Sequence, residues 1–245
     1  MFSHSDISRW CKQLRGLADE QPDARREDRC QYALSDAVLG AFSVFFMQCP
    51  SFLAHQREMQ RRKGRNNAET LFGIRQIPTD THIRNLLDPI EPEALYPMFR
   101  QLAQACQEQA VYQDYEVYQG HQLLILDGTE YFSSTKLYCQ NCTVKQYKNG
   151  RKRYSHQVLS PIIAAPHQSE ILSLEPEFIR PQDGHDKQDC EIAAAKRWFA
   201  RAFSHYPLAH SIVVADDLYC HQPFCELLTQ QGAFNRSGPS EGQTG

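Results

Sequence analysis

Gln122-Leu123-Leu124-Ile125-Leu126-Asp127-Gly128-Thr129-Glu130 decides how the rest of this chain is read. Leu123 to Leu126 are consecutive large apolar residues and predict a strand buried on both faces, because a half-buried strand alternates. The strand delivers a carboxylate at its C-terminal end, followed at once by glycine. Open sheets keep their chemistry outside the carboxyl ends of strands, so Asp127 is a candidate functional acid. Ile212-Val213-Val214-Ala215-Asp216-Asp217 repeats the pattern, again an apolar run ending in acid. Two such strands suggest a shared metal site. The plainer reading is that each Asp caps the turn after its strand.

Composition bounds the class. The chain has 245 residues, 41% hydrophobic and 22% charged, which is ordinary for a globular protein and long enough for one large domain or two small ones. No apolar run reaches the ~18 residues of a membrane span, and no secretory signal pattern opens the sequence. Nine scattered cysteines fit a reducing compartment better than a disulfide framework, so a cytoplasmic location is expected. The net charge of −3 gives no global attraction to nucleic acid. Positive charge is nevertheless clustered, at Arg57, Arg61, Arg62, Lys63 and Arg65 and again at Lys145, Lys148, Arg151, Lys152 and Arg153. Each cluster alone can be a solvated face.

Before Gly120 the pattern is helical. Trp10, Leu14 and Leu17 mark a short amphipathic helix, and Leu34, Ala37, Val38, Ala41, Val44 and Phe45 mark a second that Pro50 ends. Thr79 and Asp80 open a third, with Ile83, Leu86 and Leu87 on its apolar face. A fourth spans about Glu91 to Gln109, with Leu95, Met98, Phe99, Leu102 and Cys106 expected inside. Residues 1–118 are therefore expected to form an all-helical domain. Beyond it the period shortens. Asn149-Gly150, between Thr143–Tyr147 and Tyr154–Val158, predicts a hairpin in which both turn residues take positive φ. Val158–Ala165 and Ile171–Leu174 read as strands, Asp186–Phe203 as a helix, and Gln222–Gln231 as another with Pro223 in its first turn. Residues 119–234 thus form a second domain, and 235–245, with no large apolar residue, are expected to be disordered.

Two carboxylates about 4 Å apart repel by roughly 4 kcal/mol at a surface-like dielectric, so a site that joins Asp127 and Asp216 needs a cation. Oxygen ligands suit Mg²⁺ or Mn²⁺, and two such ions support in-line displacement at phosphorus.

Leu-Ile-Leu-Asp127-Gly-Thr-Glu and Val-Val-Ala-Asp216-Asp-Leu-Tyr219, behind a helical region, resemble the transposases of bacterial insertion sequences with a DDE catalytic core. Pro176-Glu177-Phe178-Ile179-Arg180-Pro181-Gln182-Asp183-Gly184, followed by Lys187-Gln188-Asp189-Cys190-Glu191, resembles the segment between the two acids in one branch of that family. The resemblance covers about Tyr32 to Phe234. It implies an α+β or α/β chain whose helical domain precedes an RNase H-like mixed sheet with flanking helices. It also implies a two-metal Mg²⁺ or Mn²⁺ site with Asp127 and Asp216 as its first two acids, and DNA (element ends and target) as partner, with homo-oligomerisation left open. The family's third acid, a Glu on a later helix after a further strand, has no counterpart in the pattern. Glu226 follows Asp216 too closely, and Glu241 sits in the polar tail. The expectation is a truncated, catalytically incomplete copy, or a non-catalytic DNA-binding fragment that competes with intact transposase. Haloacid-dehalogenase-type phosphatases also carry Asp-Gly-Thr after an apolar strand. Their nucleophile lies two residues earlier, where this chain has Ile125, which cannot attack phosphorus.

Cys139-Gln-Asn-Cys142 has metal-knuckle spacing, and His156 lies across the hairpin where it can fold back. His185 or Cys190 is a candidate fourth ligand. The expectation is a structural Zn²⁺ that pins the basic hairpin; the bland alternative is two unliganded cysteines. The hairpin residues Lys148, Arg151, Lys152 and Arg153, with Arg57 to Arg65, are the candidates for contacts to the DNA backbone.

Overall fold

The computed structural model describes residues 4–23, 25, 30–61, 69–74, 78–181, 187–209, 211–230 and 232–237, with the backbone alone at 4, 5, 60, 187–190 and 234–237. The chain is mixed α+β and divides into two compact units, Met1–Met98 and Phe99–Gly245. No described helix is long and apolar enough to cross a membrane.

The first unit is helical. Its helices are α1 (His4–Asp19), α2 (Leu34–Phe46), α3 (Phe52–Gln60) and α4 (Asp80–Leu87). Leu14, Ala18, Leu39, Met59, Phe72 and Ile74 form its main core, and Leu34, Ala37, Ile83 and Leu86 a smaller one. Capping sets the starts of two helices: Ser51 accepts from the Ala54 amide at 3.1 Å, and Thr79 from the His82 amide at 3.3 Å. Ser35 and Asp36, polar residues of the first turn of α2, are buried, and the Arg15 guanidinium reaches both at 2.9 and 3.0 Å. Phe45, read as a core position, is 74% exposed.

Helix α5 (Tyr96–Glu108) follows a 3-10 turn at Pro92–Leu95. That turn shifts the helical phase, so Tyr96, Ala103 and Cys106 are buried while Leu95 and Leu102 stay exposed. The division into units falls between Met98 and Phe99, well before the change of period near Gly120. The reason lies in α5 itself: Ala103 joins the core of the second unit, and Arg100 pairs with Glu175 there.

The second unit holds two sheets. Strands β1 (Glu116–Tyr118), β2 (His121–Ile125), β6 (Ile162–Ala164), β7 (Leu172–Ser173), β9 (Ser211–Ala215) and β10 (Phe234–Ser237) form one, in the order β10-β9-β2-β6-β7 with β1 also on β2. Strands β2, β9 and β10 run parallel to one another, and β6 runs antiparallel to β2. Strands β3 (Gly128–Ser134), β4 (Thr143–Gln146), β5 (Lys152–Leu159) and β8 (Glu177–Ile179) form the other, in the order β3-β5-β4 with β8 also on β5. The chain passes from the first sheet to the second at Asp127-Gly128 and returns at Ser160-Pro161, where the Ser160 amide donates to the Asp127 carbonyl at 3.1 Å.

Helices α6 (Lys187–Ala202) and α7 (Gln222–Gln230) pack on the face of the first sheet that carries Leu124 and Val213. Trp198, Phe199, Phe224 and Leu228 are fully buried there, with the Phe199 and Phe224 rings 5.8 Å apart. Burial on β2 and β9 alternates: Leu124, Val213 and Ala215 are inside, whereas Leu123, Ile125, Ile212 and Val214 are half-buried. The expectation of a strand buried on both faces is corrected accordingly. Both helices cover the same face, so the other rows of side chains have less cover.

The end of the described chain also departs from expectation. Helix α7 closes at Gly232, whose φ of 77° lets its amide bond to Thr229 and the Ala233 amide to Leu228, both at 3.0 Å. Residues 234–237, the last three of them expected to be disordered, then pair with β9 from Phe234↔Ile212 to Ser237↔Ala215. Main-chain hydrogen bonds make a strand here, and they need no apolar side chain. Residues 238–245 lie outside the described part.

Candidate functional site

The two acids of interest stand at matched places on neighbouring strands. Ile125 is in register with Val214, and the Leu126 amide continues the ladder with a bond to the Val214 carbonyl at 2.9 Å. Asp127 and Asp216 each lie two residues beyond the Ile125↔Val214 pair, past the C-terminal ends of the two parallel strands. Both Asp residues are exposed, while the residues before them, Leu126 and Ala215, are buried. Asp216 also caps the 3-10 turn Asp217–Tyr219, accepting from the Leu218 amide at 3.1 Å. The capping role expected of a plain turn residue is therefore present at Asp216 together with its place past the end of β9.

A third carboxylate flanks the first Asp. Glu191, on α6, is 3% exposed, and a Cβ on Gly128 would lie 2.8 Å from its Cδ and 2.9 Å from its Oε1. Only a glycine after Asp127 leaves room for it. Tyr219, 1% exposed, has a hydroxyl without a hydrogen-bond partner among the described residues. Burial pushes that phenol well above its usual range, and the negative charges of Glu191, Asp216 and Asp127 push it further. Tyr219 therefore senses all three acids. In the sequence Glu191 closes the family-like segment Lys187–Glu191, but its spacing assigns it no place beside Asp127.

A buried ion-pair network braces the same helix. Glu175 is fully buried; Arg100 Nε and Arg201 Nε each reach its carboxylate at 2.7 Å, and its carbonyl accepts from Trp198 Nε1 at 2.8 Å. Glu177 takes Arg197 at 2.5 Å and Arg201 at 2.6 Å. Burial alone would raise the Glu175 pKa. The hydrogen bonds and charges of Arg100 and Arg201 outweigh burial and hold it below the usual carboxylate value.

A second cluster is built on the β4–β5 hairpin. Cys142 immediately precedes β4, Thr143 is in register with Ser155 on β5, and His156 comes next. Cys139 Sγ and Cys142 Sγ are 3.8 Å apart, and His156 Nε2 lies 3.3 Å from each. The Cys139 amide donates to Cys142 Sγ at 3.3 Å, and the Tyr131 ring stacks on His156 with centroids 5.8 Å apart. Among the described residues, this is the one trio of His, Cys, Asp or Glu whose ligand atoms all lie within 4.8 Å of one another. Asp127, Glu191 and Asp216 are thus not drawn together so tightly. His185 lies outside the described residues, as does the side chain of Cys190.

The turn of that hairpin differs from expectation. Gly150 alone has positive φ, 78°, and its amide donates to the Tyr147 carbonyl at 2.9 Å. The loop is therefore the three-residue kind, a type I turn closed by a left-handed glycine, and Asn149 keeps ordinary backbone angles. Lys148, Arg151 and Lys152 are exposed around it, whereas Arg153 pairs with Glu130 and donates to Ser133 Oγ at 3.1 Å. In the first unit Arg57 is exposed on α3, and Arg61 pairs with Glu58 at 3.0 Å. Arg62, Lys63 and Arg65 lie outside the described residues.

Comparison of the chain with protein-family models, with curated proteins and with solved structures finds no match.

Proposed function

We propose that this chain is a DDE-type transposase with an RNase H-like core, and a catalytically incomplete copy, because the family's third acid has no counterpart in its sequence pattern. The observation that carries the reading is that β2 and β9 are adjacent parallel strands whose C-terminal ends lead into Asp127 and Asp216. Such a core needs its first two acids on adjacent strands so that they can share metal. The first strand at the centre of the sheet, an antiparallel neighbour on one side and a parallel one on the other, supports the same reading. So does the basic hairpin tip, which offers Lys148, Arg151 and Lys152 to a phosphate backbone.

The donors fit Mg²⁺ or Mn²⁺. Asp127 and Asp216 are exposed oxygen ligands, and Mg²⁺ is commonly held by one or two carboxylates together with substrate phosphates, so a tight trio is not required. The chemistry such ions supply when bound is activation of the attacking oxygen and stabilisation of the leaving oxygen at phosphorus. The chain's own contribution is positional. β2 and β9 lead into the two Asp residues, and Glu191 adds negative charge from α6 beside Gly128.

The test is cleavage. Purified protein is incubated with labelled DNA from the ends of the element, with Mg²⁺ or Mn²⁺, beside Asp127→Asn and Asp216→Asn. A core that lacks its third acid is expected to bind the ends without nicking them under any metal. Metal-dependent nicking that both variants abolish would show instead that the core is complete.

A further inference from the structure

We propose that Cys139, Cys142 and His156 hold a zinc ion whose role is to fasten the base of the β4–β5 hairpin. The geometry points to a tetrahedral soft-metal site. Zinc lies about 2.3 Å from thiolate sulfur and about 2.0–2.1 Å from imidazole nitrogen; tetrahedral angles then separate two sulfurs by about 3.8 Å and sulfur from nitrogen by about 3.6 Å. The corresponding separations here are 3.8 Å for the sulfurs and 3.3 Å for each sulfur to His156 Nε2. A disulfide does not explain them, since its sulfurs stand about 2.05 Å apart.

Three features show that the arrangement is built rather than incidental. The donors come from two segments, the Cys139–Cys142 turn and β5, and the cross-strand pair Thr143↔Ser155 fixes the distance between them. Thr143 Oγ1 reinforces that pair, lying 3.0 Å from the Ser155 carbonyl and 2.9 Å from Ser155 Oγ. The Cys139 amide donates to Cys142 Sγ at 3.3 Å and so fixes that sulfur within the turn. Tyr131 and Phe132 pack on the His156 ring, with centroids 5.8 and 5.6 Å away, and hold its plane.

Sulfur and imidazole donors select zinc over Mg²⁺ or Mn²⁺, so this site and the carboxylate site take different metals. Cys139, Cys142 and His156 supply three of the four tetrahedral positions and leave one for a further ligand. The ion ties the turn before β4 to the middle of β5, and the loop carrying Lys148, Arg151 and Lys152 projects from the far end of those strands. The binding of zinc does not depend on the transposase reading; only its value for DNA contact does.

The experiment is metal analysis of the reduced full chain, produced with zinc supplied, followed by replacement with cobalt. One equivalent of zinc and a thiolate-to-cobalt charge-transfer band are expected. Both should be lost in Cys142→Ser and in Cys139→Ser, and retained in Cys220→Ser. Cys139 is exposed, so its variant remains informative even if Cys142→Ser fails to fold. Less than about a tenth of an equivalent in the reduced protein, with no cobalt band, would overturn the proposal. So would full zinc binding by both Cys139→Ser and His156→Ala. A Cys139–Cys142 disulfide that persists under reducing conditions counts against it equally.

Discussion

Glu191 is packed against Gly128 so closely that a Cβ on the glycine would stand 2.8 Å from the glutamate Cδ. The neighbour is the end of a side chain, and it can move only by leaving a buried position. Gly128→Ala is therefore expected to fold, with a loss of about 1–3 kcal/mol from overpacking. Glu191→Gln keeps the volume and removes the charge, so it should leave the melting temperature near its original value while weakening Mg²⁺ binding about 10–100-fold. Calorimetric metal titrations would show this. Identical metal curves for wild type and Glu191→Gln would remove Glu191 from the site.

Asp216 carries two roles that conservative substitution can separate. Asn caps as well as Asp, so Asp216→Asn should retain the turn at Asp217–Tyr219 and unfold at the same denaturant midpoint. Asp216→Ala should cost about 1 kcal/mol. Both should weaken Mg²⁺ binding by at least about tenfold, because each removes one of the two strand-end carboxylates. If Asp216→Asn binds Mg²⁺ normally, Asp216 is a cap and nothing more.

Glu175 predicts an acid-sensitive fold. Its folded pKa lies below the ordinary 4.5, because Arg100 and Arg201 outweigh burial. A carboxylate of that kind contributes its full stability above the unfolded value and loses it as pH falls through the folded one. Denaturant midpoints should therefore be flat, as far as Glu175 is concerned, above pH 4.5 and should drop below it. Glu175→Ala removes the buried carboxylate that Arg100 and Arg201 share and should cost about 3–5 kcal/mol. The pH-dependent drop should be smaller in any Glu175 variant that still folds.

The basic hairpin divides into residues that are available and one that is engaged. Replacing Lys148, Arg151 and Lys152 by alanine should lower DNA affinity and reduce the slope of log K against log salt by about 2–3, roughly 0.9 for each phosphate no longer neutralised. Arg153→Ala should change the slope less and the stability more, because Arg153 is already paired with Glu130. Equal slopes for the triple variant and the wild type would show that DNA does not use this tip.

Much of the local structure could be read from the residues. Thr79 caps α4 as its spacing implies, and the apolar runs ending at Asp127 and Asp216 form adjacent parallel strands. Cys139, Cys142 and His156 could be grouped in advance, because hairpin register is a local property. What depends on distant partners could not be read. Whether Leu123 and Ile125 are covered turns on which face α6 and α7 choose. Glu191 gains its place from a glycine in another element. The pairing of residues 234–237 comes from an open edge on β9, and main-chain bonding leaves no trace in side-chain pattern. The unit boundary was displaced for a related reason: Arg100 finds its carboxylate at Glu175, 75 positions later.

That last separation has a consequence for the order in which the molecule assembles. Glu175 needs Arg100, 75 residues before it, and Arg201, 26 residues after it. Burying it before both arginines have docked leaves part of the carboxylate without its hydrogen bonds in a medium that penalises it. On a growing chain, β7 and β8 are made before Trp198 and Arg201 exist to close over them. The second unit must then wait, with Glu175 still in water, until α6 has been synthesised. Long-range contacts of this kind slow folding, so refolding of the Phe99–Gly245 unit should be limited by docking of α6 rather than by formation of the β4–β5 hairpin.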